Sequence, residues 1–225
     1  MTWVLFAFLT AFFESSKDIF GKRGLQISDE YVVAWAWRFF AIPFLLPPLF
    51  FTGIPPLDRE FFFALLVSGG LNVVTSVLYL RALRLSDLSV TVPMVTFTPL
   101  FLLLTSPLLL GESPSLLGMA GVLLIVLGSY LLNIRQRSLG YLAPFKALLS
   151  EPGPRLMLLV ALIWSITANV DKIGLQHSSP MFYGFAINLF LALALLPLAL
   201  RRLRGNGHEL RATSAICWRS AAPAV

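Results

Sequence analysis

Seven long apolar runs divide the 225-residue chain, at roughly 2–20, 32–52, 61–80, 88–110, 115–133, 156–172 and 181–200. A helix needs about 20 mostly apolar residues to cross a bilayer, and each run approaches or reaches that length. Polar or Pro/Gly-bearing turns separate them, including Gly53 to Arg59, Gly111 to Ser115 and His177 to Pro180. Within hydrocarbon the backbone must satisfy its own hydrogen bonds, which leaves helices or closed barrels. A barrel would alternate in roughly ten-residue segments, and the sequence has no such alternation. Composition agrees: 57% of residues are apolar and only 12% charged, against roughly 25% charged in soluble domains. This excludes an ordinary soluble enzyme and a disordered chain, and a single cysteine, Cys217, excludes a disulfide scaffold. The expected fold is an all-α polytopic membrane protein with about seven transmembrane helices. The net charge of +6 belongs with loops near anionic lipid and not with nucleic acid. No basic segment precedes the run Thr2 to Phe13 and no small-residue cleavage signal follows it, so it reads as a retained first span.

The chain also resembles itself. Shifted by 150, Lys22-Arg23-Gly24-Leu25-Gln26 falls on Lys172-Ile173-Gly174-Leu175-Gln176, and Leu45-Leu46-Pro47 falls on Leu195-Leu196-Pro197. Ten of the 26 positions from 22 to 47 are identical to their counterparts. Five spans separate the two copies, and five is odd, so the second copy runs through the membrane in the opposite sense. Inverted repeats of this kind mark transporters, with the site near the midplane between the halves. The first copy spans 1–133, and 156–204 supplies only the first two helices of a second. Between them, 134–155 is basic, and its Leu142, Phe145, Leu148 and Leu149 predict a short interfacial helix ended by Pro152-Gly153-Pro154; a plain linker is the alternative. The segment 205–225 is too polar to span. Either the protein has seven spans, or a ten-span chain has been truncated or frame-shifted.

Polar side chains within the spans are the candidate pathway, because ionisable groups at membrane depth are costly and mark function. Glu14, Lys17 and Asp18 share a helical face in span one, at i, i+3 and i+4. Two neighbouring carboxylates suit a proton-coupled carrier, and Glu14 is the expected coupling residue; burial in headgroups is the structural alternative. In span three, Ser68, Asn72, Thr75, Ser76 and Tyr79 form one stripe. It turns inward, either to line a cavity or to hold helices together. Thr91, Thr98 and Thr105 recur every seven residues in span four beside Pro93 and Pro99, which predict a kink. Gly118, Gly121 and Gly128 predict close packing of span five. Trp3, Trp35, Trp37 and Trp164 read as interfacial anchors; Trp35 and Trp37 flank Arg38 closely enough for a substrate contact. Lys22 and Lys172 are either snorkelling at helix ends or a pseudo-symmetric pair near the path.

The stretch Tyr79 to Asn133 carries Ala82-Leu83 after span three, Pro99 in span four, Gly111-Glu112 at its end, and Gly121 and Gly128 in span five. With Lys22 and Arg38, this order resembles the EamA-type half of the drug/metabolite transporter superfamily, over about residues 1–200. The resemblance implies a ten-helix fold of two inverted five-helix halves that moves small metabolites. This chain then holds one complete half and two helices of the other. Glu14, with a lysine eight residues on at Lys22, is also similar to the first helix of the small multidrug-resistance branch, whose members dimerise. Dimerisation is therefore an expected partnership, beside a small-molecule substrate and the lipid bilayer. No motif for catalysis, metal, nucleotide or other cofactor is present, so a membrane enzyme is disfavoured; a non-transporting structural fragment is the alternative reading.

A bacterial inner or plasma membrane is the expected location. The connections after spans one, three, five and seven hold eleven basic residues against two, Arg59 and Lys172, on the other side. Positive-inside reasoning puts the amino terminus outside, whereas the family resemblance implies that it is cytoplasmic, and both orientations stay open.

Overall fold

The computed structural model describes residues 2–112, 115–132 and 151–205. Among these, seven helices form, one for each apolar run. They are α1 Thr2–Ile27, α2 Glu30–Thr52, α3 Arg59–Leu85, α4 Leu88–Leu110, α5 Leu116–Leu132, α6 Pro152–Gln176 and α7 Pro180–Gly205. Five of them, α2, α3, α4, α6 and α7, are long and apolar enough to cross a membrane. Helix α1 is long enough at 26 residues but carries Glu14, Lys17 and Asp18 at and just past its middle. Helix α5 is shorter, at 17 residues. Phe6, Phe12, Phe20, Phe44 and Phe50 are exposed on the outside of the bundle, where only lipid makes such an apolar surface stable. The chain is an integral, multi-pass membrane protein.

Local chemistry sets the helix ends. Asp29 and Asp58 accept from the N–H groups of Tyr31 and Phe61, each at 3.0 Å, filling donors that a helix start leaves orphaned. Gly53 and Gly111 take φ of 72° and 67°, the left-handed φ that lets a glycine stop a helix. Pro152-Gly153-Pro154, expected to end an interfacial helix, instead opens α6. Proline fits a first turn because its missing N–H would have no partner there. The rest of that expected helix lies outside the described residues. In α4 the expected kink takes the form of a 3₁₀ stretch, Val92–Phe97, holding Pro93 and ending just before Pro99. Among the described residues, close packing of α5 through glycine is not found: a Cβ on Gly121 or Gly128 would meet nothing within 4 Å, and one on Gly118 only the nearby Ser115 hydroxyl.

Contacts at the helix ends define two ends of the bundle. At one end Lys22 of α1 donates to the carbonyls of Leu83 and Ser86, where α3 finishes. Arg84 there pairs with Glu30 at the start of α2. At the other end Lys172 of α6 pairs with Glu112 beyond α4, and His177 meets Asp58 at the start of α3. The Phe61 N–H and the His177 ring hold the exposed Asp58 carboxyl below its ordinary value. Helices α1 and α6 therefore finish at opposite ends, as an inverted repeat requires. Their boundaries keep the offset too: α2 begins at Glu30 and α7 at Pro180.

Helix α2 packs along α7, and α3 packs along α6. Arg38 donates to Asn188, and these two residues are counterparts at the 150-residue shift. Each lies eight residues, about 12 Å, into a helix that starts at the opposite end of the bundle. Counterparts of an inverted repeat can touch only on its two-fold axis, which lies in the membrane plane. Their contact puts Arg38 near mid-depth.

Candidate functional site

Helix α3 is the spine of the site, and its polar stripe faces inward. Ser68, Thr75, Ser76 and Tyr79 are buried and Asn72 is partly so, while Leu66 and Val74 on the far side are exposed. The stripe meets α6. Ser68 donates to Asp171, Asn72 donates to Ser68 at 3.0 Å, and Trp164 donates through Nε1 to Thr75 at 3.2 Å. A polar seam thus joins the two halves.

One end of the seam holds a carboxylate on aromatic rings. Tyr79 donates its hydroxyl to Asp18 Oδ1 at 2.6 Å, and Asp18 is buried. Trp164 stacks on Tyr79 at 5.4 Å between ring centroids, and Trp37 tilts against it at 6.4 Å. Lys17 sets its ammonium 5.3 Å from the Trp37 ring centre and 5.6 Å from that of Tyr79, within cation–π range. It pairs with Glu14 and lies 4.0 Å from Asp18. The three charged groups of α1 are therefore together, but unequal. Glu14, the expected coupling residue, is exposed and neutralised by Lys17, whereas Asp18 is enclosed.

The other end of the seam holds Asp171, which accepts from Ser68 and from Tyr183 at 2.7 Å. Ser68 and Tyr79 stand eleven residues apart on α3, about 16 Å, so the two tyrosine-bound carboxylates sit well apart along it. Between them Arg38 reaches across from α2, donating to Ser76 at 3.2 Å and Asn188 at 3.4 Å.

The remaining expected residues fall outside this seam. Lys22 and Lys172 are at opposite ends of the bundle, bound to carbonyls and to Glu112. Among the described residues the buried hydroxyls of Thr98 and Thr91 have no hydrogen-bond partner, while Thr105 accepts from Asn169 at 3.1 Å. Trp37 and Trp164, expected at the interface, are in the bundle around Tyr79, because a second ring there shields a buried hydroxyl–carboxylate pair. The sequence reading missed Asp171 and Asn188. Asn188 could have been found by applying the 150-residue shift to Arg38, and Asp171 by treating it like any ionisable residue inside a span. Among the described residues no group of three His, Cys, Asp or Glu could hold a metal ion.

Residues 1–134 match the EamA-like transporter family. No curated protein and no solved structure matches the chain.

Proposed function

The chain belongs to the EamA-like transporter family, and from that premise we propose that it is a secondary transporter of small solutes that takes up protons at Asp18. The observation that carries this reading is the Tyr79–Asp18 pair. A carboxylate enclosed among helices gains from a proton when empty. Among the described residues the Tyr79 hydroxyl and Lys17 both approach Oδ1, which leaves the second carboxylate oxygen to bind that proton. Coupling needs a group whose protonation and solute occupancy shift the same conformational equilibrium. Asp18 suits this because it sits on the α3 seam where the halves meet. Glu14 suits it less, since its charge is already met by Lys17 in an exposed position. The 3₁₀ stretch of α4, flanked by the hydroxyls of Thr91 and Thr98, which have no partner among the described residues, is the segment best suited to bend during the cycle, as mid-helix 3₁₀ stretches often mark hinges.

The test uses the full chain in proteoliposomes with entrapped pyranine as proton indicator. Separate arms supply monocarboxylates, amines and polyols from outside. At least one arm should drive proton flux in the wild type and fail in Asp18→Asn, while Glu14→Gln retains it. Equal flux in Asp18→Asn and the wild type would move the coupling elsewhere.

A further inference from the structure

We propose that Arg38 is the seat of a solute carboxylate, which makes the transported class organic monoanions with a small apolar body. This rests on the transporter reading above and names the solute that it leaves open. A guanidinium presents five N–H donors in a planar fork. Arg38 uses two of them, to Asn188 at 3.4 Å and Ser76 at 3.2 Å. Both acceptors are neutral, and both contacts are at or beyond the long end of the usual range.

Every other charged group near the seam has a strong partner. Glu14 pairs with Lys17, Asp18 takes the Tyr79 hydroxyl, and Asp171 takes Ser68 and Tyr183. Among the described residues, no carboxylate lies within 4.0 Å of Arg38. Glu14 acts on Arg38 only from beyond that distance and is itself paired with Lys17; a cation with no anion in contact among apolar helices is costly, and such residues face ligand paths.

Position and shape agree with charge. Arg38 lies near mid-depth, at the contact between the halves, where inverted-repeat transporters place their solutes. Depth excludes lipid headgroups as the source of the anion. A guanidinium fork fits a carboxylate through two parallel hydrogen bonds. The Ser76 hydroxyl can turn its donor to a bound oxygen once the anion arrives, and the Asn188 amide, one N–H of which donates to the Gly184 carbonyl at 2.8 Å, has a second N–H to offer. Trp35, one turn before Arg38 on the same face of α2 and stacked on Phe39 at 4.9 Å, supplies aromatic surface for the apolar body.

The experiment is equilibrium binding, so it does not depend on transport. The full chain in lipid nanodiscs at neutral pH is titrated with benzoate, benzyl alcohol and benzylammonium, matched in shape and different in charge, by ligand-observed NMR. Benzoate should bind at least about tenfold more tightly than the other two. Arg38→Gln should abolish that preference, and Arg38→Lys, which keeps the charge and loses the fork, should weaken it about tenfold. Should Arg38→Gln fail to fold, Arg38→Lys decides alone. Equal binding of the three probes, unchanged benzoate binding in Arg38→Lys, or displacement by inorganic phosphate as effective as by cyclohexanecarboxylate would each overturn the proposal. Arg38-dependent binding without proton flux in the proteoliposomes would keep this site and end the proton-coupled reading; flux without such binding would do the reverse.

Discussion

Tyr79 and Asp18, 61 positions apart, share one hydrogen bond of 2.6 Å in the interior of the bundle. The bond ties α1 to α3 where α1 is otherwise held mainly at its end by Lys22. Burying the phenol without its acceptor, or the carboxylate without its donor, leaves a polar group unsatisfied.

Tyr79→Phe should therefore destabilise the protein by about 1–3 kcal/mol, measured by chemical unfolding in detergent. Asp18→Asn keeps an acceptor and should cost less. Asp18→Leu removes the acceptor, and combined with Tyr79→Phe it should show a coupling energy above about 0.5 kcal/mol. Additive single effects would mean that the bond contributes nothing.

Lys22 and Lys172 occupy equal places in the two copies and opposite ends of the bundle. Single cysteines at these positions, in inside-out and right-side-out vesicles, should react with a membrane-impermeant maleimide from opposite faces. Labelling of both from the same face would end the inverted-repeat assignment.

The His177–Asp58 contact gives the protein an acid-sensitive clasp at one end. The Asp58 carboxyl sits below its ordinary value of 3.8 because of the Phe61 N–H and His177. A group whose folded value is lowered adds stability above its unfolded value and loses it as pH falls through the folded one. The melting temperature of Asp58→Ala should thus lie slightly below wild type near neutral pH, with the gap closing in strong acid. Since the site is exposed, high salt should narrow the gap as well. A gap that widened on acidification would contradict the assignment.

Gly174 has the Tyr183 ring against it: a Cβ there would lie 2.2 Å from the ring edge. Gly174→Ala should push Tyr183 away from Asp171 and cost about 1–3 kcal/mol. Tyr183→Phe keeps the ring carbons that clash and should leave the penalty in place, whereas Tyr183→Leu should relieve most of it. Thermal unfolding of the single and double variants separates these outcomes.

The positions of the helices and the inward turn of the α3 stripe were legible from apolar run length and a helical period alone. The contact between halves was not read, although Arg38 and Asn188 stand at the shift that the repeat defines. What the sequence could not distinguish was Glu14 from Asp18. They share a nominal face, and which one is enclosed depends on the level at which α3 brings Tyr79 alongside α1. That is a property of helix crossing and not of spacing. Asp171 was hidden for a similar reason, because its partner Ser68 lies 103 positions away. The Pro-Gly-Pro run misled because proline marks helix starts as readily as stops.

The contact of Arg38 with Asn188 has a consequence for how the two copies can diverge. A side chain on a two-fold axis meets its own counterpart, so an identical pair there must be compatible with itself. Two guanidinium groups facing one another at mid-depth would repel, whereas an arginine facing an amide gains a hydrogen bond. Off the axis no such conflict arises, and the flanking pairs Ala36 with Ala186 and Phe40 with Phe190 are identical. Arginine can be kept in only one copy, and a protein built from two like halves is thereby left with a single, one-sided positive charge at its centre.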